Sequence, residues 1–99
     1  MKIAFVIHND LFGSQVMKLL AAAGIDYYTR WDEVKGKGHL TQPHLGRGSA
    51  PGTNTVLMIA FQDEAPLETL IQSITATNAG ITRPDDKVRL FQVPLERIV

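Results

Sequence analysis

Glu33-Val34-Lys35-Gly36-Lys37-Gly38 is the stretch of the chain whose residue types and spacing best suit ligand chemistry. Gly36 and Gly38, at alternate positions, let backbone N–H groups approach a ligand closely. The lysines around them can neutralise phosphate charge, and successive backbone donors in such a turn form an anion-binding nest. The same spacing also suits a polar hairpin exit in which the glycines serve only turn geometry. No Lys-Ser or Lys-Thr pair follows, so this is not a Walker-type loop. A second candidate is Gly80-Ile81-Thr82-Arg83-Pro84-Asp85-Asp86-Lys87. Gly80 gives it backbone freedom, and Thr82, Arg83 and Lys87 can all donate to phosphate oxygens. Asp85 and Asp86 oppose the two cations, which is also what a solvated loop would show.

His39 and His44 stand on either side of Thr41-Gln42-Pro43. Two imidazoles are a start towards a divalent-metal site, zinc or copper, although a firm site needs three or four ligands in fixed geometry. Loop histidines without metal are the other reading, and His8, at a strand end, reads as structural. Tyr27, Tyr28 and Trp31 lie among polar neighbours and suit packing on a sheet or at a subunit contact, with base stacking by Trp31 as the alternative. Ser14, Ser49 and Ser73 have no nucleophile context, and no carboxylate pair is marked out by spacing. A catalytic residue set is therefore not expected.

These candidates sit between recognisable elements. Residues 2–8 are a short apolar run with Ile3, Phe5, Val6 and Ile7, which predicts a strand. Asn9-Asp10 offers a turn and a helix cap. Phe12, Val16, Leu19, Leu20 and Ala23 form a helical stripe that Gly24 ends. Residues 26–34 are rich in aromatic and β-branched types and predict a second strand. Residues 36–54 carry five glycines with Pro43 and Pro51, and cannot hold a sustained helix or central strand. Loops this long in a small domain are usually functional or disordered. Thr55 to Phe61 predicts a third strand. Pro66 fits the first turn of a second helix, with its stripe at Leu67, Leu70, Ile71 and Ile74. Asn78-Ala79-Gly80 ends it, Pro84-Asp85-Asp86 turns, and Lys87 to Val93 predicts a fourth strand stopped by Pro94. The order βαββαβ predicts an α+β, ferredoxin-like sandwich, with a four-stranded antiparallel sheet carrying two helices on one face.

Bulk properties narrow the classes. The chain has 99 residues, 44% hydrophobic and 20% charged, which fits one globular domain. A domain of this size gains stability by associating with other copies. Ten basic and ten acidic residues give a formal net charge of zero, which argues against a general nucleic-acid binder. There is no cysteine, hence no disulfide, thiolate metal site or thiol nucleophile. The apolar start breaks at His8-Asn9-Asp10, too early for a signal core, and no run is long enough to span a bilayer. The expectation is a cytoplasmic protein without direct membrane insertion.

The residues Asp32 to Gly38 resemble the valine-lysine-glycine-x-glycine stretch that opens the T-loop of PII signal-transduction proteins. Met1-Lys2-Ile3, the helix ending Ala23-Gly24-Ile25, Arg47-Gly48 in the long loop and the closing Phe91-Gln92-Val93-Pro94-Leu95-Glu96 are similar to that family as well. The resemblance implies a single PII-like domain over 1–99, with the T-loop at about 36–54 and the B-loop at about 80–87. It implies a homotrimer whose sheets pack together. Adenine nucleotides (ATP, ADP or AMP) would lie between subunits, against Gly36, Lys37, Gly38, Gly80, Arg83 and Lys87. A T-loop that changes shape would then engage a membrane transporter or metabolic enzyme. Departures are evident. Arg83-Pro84-Asp85-Asp86-Lys87 replaces a glycine-aspartate-glycine-lysine run, the family's arginine pair after the last strand has no counterpart in Arg97-Ile98-Val99, and the T-loop lacks a tyrosine to uridylylate. PII-like relatives with other ligands show similar losses. The alternative is a metal-responsive trimer of the CutA or metal-efflux-associated type, using His39 and His44.

Overall fold

The computed structural model describes residues 1–39, 42–46 and 52–99. Strand β1 (Lys2–Asn9) leads through a 3-10 turn, Asp10–Phe12, into helix α1 (Gly13–Ala22). Strand β2 (Thr29–Val34), strand β3 (Asn54–Phe61), helix α2 (Ala65–Ala79), a 3-10 turn at Pro84–Asp86 and strand β4 (Arg89–Pro94) follow. The sheet order is β2-β3-β1-β4, and every pairing is antiparallel. This is the expected ferredoxin-like sandwich. Among the described residues no helix is long and apolar enough to cross a membrane.

Strand periodicity separates the two sheet faces. Ala4, Val6 and His8 of β1 and Thr55, Leu57, Ile59 and Phe61 of β3 are buried. Val16 and Leu20 of α1 and Leu67, Leu70 and Ile74 of α2 join them in one core, so both helices cover the same face. The alternate residues point the other way. Register sets Phe5 opposite both Met58 and Phe91, Ile3 opposite Val93, and Trp31 opposite Val56. No element among the described residues covers that face: Trp31, Phe91 and Val93 are 47%, 56% and 45% exposed.

Local chemistry explains the element ends. The Asn9 side chain accepts from the Leu11 N–H at 3.0 Å, capping the 3-10 turn rather than α1 itself, which starts at Gly13. Gly24 has φ 75°, the left-handed geometry that closes a helix. Strand β2 begins at Thr29 instead of residue 26. Ahead of it Ile25 is buried and the Tyr27 ring packs edge-on against Phe61 at 6.0 Å, so these residues anchor to the core instead of pairing. Strand β4 begins at Arg89 instead of Lys87. The Asn78 amide takes both backbone groups of Val88, donating to its carbonyl at 2.7 Å and accepting from its N–H at 2.9 Å. That residue's hydrogen bonds therefore go to α2, not to a strand neighbour.

Candidate ligand cleft and the loop root

The two sequence candidates meet. A cavity of about 490 Å³ lies at one end of the open sheet face, where the end of β2 and the turn before β4 approach each other. Gly36, Lys37 and Gly38 line it from the first segment and Lys87 from the second. Lys35 and Arg89 join them, with Asp85 as a carboxylate in the wall. Asp85 is already paired with Arg83, at 3.1 Å. Among the described residues, Lys35, Lys37, Lys87 and Arg89 make no ion pair, so the cleft carries excess positive charge in a chain of zero net charge. Ile7, Val56 and Phe91 supply an apolar wall that continues onto the open face. Apolar walls with a few convergent polar groups are what small-molecule sites present.

Gly80 and Arg83 lie outside this lining. Gly80 ends α2, its N–H donating to the Thr77 carbonyl at 3.1 Å. Arg83 is engaged by Asp85 and, at 3.8 Å, by Asp86. Sequence reading left out Arg89, which shares the open face with Phe91 by strand alternation. Lys35 was among the lysines already named in the glycine motif.

His39 and His44 both border the cleft but have different environments. His39 is exposed. His44 is buried: its Nδ1–H donates to Asn54 Oδ1 at 2.6 Å, and its backbone pairs with Gly36 through two hydrogen bonds of 2.6 Å. Gly36 is small for a reason, because a Cβ there would stand 2.9 Å from Asn54 Nδ2. His44 thus holds the glycine stretch against the start of β3. No group of three or more metal-ligating side chains occurs among the described residues, so the geometry adds no third ligand to the two histidines. Arg47 and Gly48 lie outside the described residues.

Behind the sheet end, on its helix-covered side, Asp10 holds a second polar cluster. Its carboxylate accepts from the hydroxyls of Thr53 and, at 2.6 Å, Thr55, and the backbone N–H of Glu33 lies close by. Burial pushes the Asp10 carboxyl up. The Thr53 and Thr55 hydroxyls, the Glu33 N–H and the charge of His8 outweigh it and hold the group below its ordinary range.

No protein-family profile matches the chain, and no curated protein matches its sequence. Solved structures do match in fold. CPII of Thiomonas intermedia K12, a nitrogen regulatory PII-like protein, superimposes at TM-score 0.66 in its complex with ADP, AMP and bicarbonate, with 16% identity over 99% of this chain and 94% of that one. Its complex with ADP and bicarbonate gives TM-score 0.68 with 18% identity, over 97% and 88% of the two chains. A PII-like signalling protein of Thermus thermophilus gives 0.62 with 16% identity, over 93% and 82%. The chain therefore has the fold of PII-like proteins over nearly its full length.

Proposed function

We propose that this chain is a PII-like regulator, not an enzyme, that binds an adenine nucleotide in the cationic cleft and signals through the 36–54 segment. The observation that carries the reading is the convergence of Gly36, Lys37 and Gly38 with Lys87 and Arg89 around one cavity. Lysine and arginine charges suit phosphate oxygens, and the Ile7, Val56 and Phe91 wall suits a base. That CPII carries ADP and AMP on the same fold supports the ligand class. The protein works as a homotrimer in the cytoplasm. Phe5, Met58, Phe91 and Val93 bury against neighbouring copies, each large apolar side chain gaining roughly 1.5–3 kcal/mol if fully covered. The cleft is continuous with that face, so an adjoining copy would close it. Ligand binding would select among conformations of the 36–54 segment, which engages a membrane transporter or metabolic enzyme.

Calorimetric titration with ATP, ADP and AMP tests this. At least one should bind, and Lys87→Ala should weaken it roughly tenfold, the loss of a charge-assisted contact. Arg83→Ala should leave affinity near that of the parent, because Arg83 is spent on Asp85 and Asp86. No heat with any nucleotide in a folded assembly would overturn the reading.

A further inference from the structure

The two ends of the 36–54 segment are tied to one side chain that lies outside the cleft. The ingoing stem is irregular. Pairing of β2 with β3 slips between Trp31 and Val34, and Glu33, inside that slip, has φ 58°, a left-handed conformation that a non-glycine residue rarely adopts. Its backbone N–H faces the Asp10 carboxylate, and both residues line one cavity with Thr55. The outgoing stem reaches the same carboxylate through the hydroxyls of Thr53 and Thr55. The Asp10 backbone N–H also donates to the Thr53 carbonyl at 3.1 Å. One carboxylate thus accepts two hydroxyls of the outgoing stem and stands against the N–H of the ingoing one.

We infer that Asp10 is a positioning residue that clamps the two stems of the 36–54 segment together and sets the slip in β2 that turns Lys35, Gly36 and Lys37 into the cleft. The slip follows from the clamp. In a regular strand Glu33 would share Trp31's face and Val34 would lie on the opposite one. Holding the Glu33 N–H towards Asp10 forces the extra residue into a bulge, after which Val34 pairs with Asn54. Bulges of this kind re-aim the residues that follow them. Val34 and Gly36 then line the cleft while Glu33 lines the separate cavity beside Asp10, His8, Arg30 and Asp32. Among the described residues, the Asp10 carboxylate's hydrogen-bond partners Thr53 and Thr55 do not line the cleft, so it governs the cleft through the backbone that it fixes.

Amide hydrogen exchange on the full chain without ligand tests the clamp. Asp10→Asn keeps the shape but turns one acceptor oxygen into a donor and removes the charge, so the Thr53 and Thr55 hydroxyls no longer each have an oxygen and the Glu33 N–H no longer faces an anion. Exchange at residues 33–36 and 52–55 should rise roughly tenfold or more, with the Val6 and Leu57 amides at the sheet centre unchanged. Thr53→Val should act in the same direction, and Thr53→Ser, which keeps the hydroxyl, should match the parent. Unchanged stem exchange in Asp10→Asn would overturn the inference. So would equal acceleration at the sheet centre, which marks general destabilisation. The nucleotide reading enters only in a second arm, where Asp10→Asn should weaken ADP binding severalfold. Absence of binding of ATP, ADP and AMP alike by the parent would sink that reading and leave the exchange test intact.

Discussion

Asp10 and Lys87 illustrate two ways in which one residue shapes this molecule. Lys87 places its own charge at the cleft wall. Asp10 acts through the donors it gathers, and its effect has a pH signature. Because its folded-state value lies below the ordinary 3.8, its stabilisation is fully present above that value and is lost as pH falls through the folded-state value. Thermal unfolding of the parent and of Asp10→Asn should differ at neutral pH and converge as pH drops below about 4. His8 on β1 and Arg30, Asp32 and Glu33 on β2 line the same cavity and are common to both proteins, so the comparison isolates Asp10. A gap that persists undiminished at pH of about 3 would contradict the account. None of this was legible in the sequence. Asp10 read as part of a turn and helix cap, because its partners Thr53 and Thr55 are distant in the chain and a glutamate with positive φ leaves no compositional mark.

At the scale of elements, the strands and helices followed from pattern, and the misread boundaries have tertiary causes. Tyr27 on Phe61 delays β2, and Asn78 on Val88 delays β4; each contact outcompetes a local strand preference. The glycine stretch lines the cleft, as its spacing suggested, but its partner His44 read as a candidate metal ligand. Only the fold shows His44 pairing with Gly36 and bonding Asn54. Two glycines give contrasting predictions. Gly24→Ala meets nothing within 4 Å yet must adopt φ 75°, so it should cost about 1 kcal/mol of stability without altering ADP affinity. Gly36→Ala has no such backbone demand but displaces Asn54. It should cost a similar amount, about 1 kcal/mol for the disturbed hydrogen bond, and weaken ADP binding as well. Denaturant unfolding paired with calorimetry checks both, and equal ADP affinities in the two variants would count against the role given to the loop root.

The whole molecule is a one-sided sandwich. Its helices bury one sheet face and leave an apolar one bearing Trp31, Phe91 and Val93, far more exposed than core-type side chains in a covered sheet. The cleft opens at the edge of that face, and in the proposed assembly this placement would join association to ligand binding. The sequence pointed to association through chain length and family resemblance. The face itself became readable only when strand register put Phe5, Met58 and Phe91 side by side. The most direct measurement is ADP binding by the parent and by Phe91→Asp, each with its mass in solution determined by light scattering. The account predicts a trimeric parent that binds ADP and a monomeric variant, still folded, whose affinity falls roughly tenfold or more. A monomeric parent, or a monomeric variant that binds ADP as tightly as the parent, would contradict a site completed at the seam between copies.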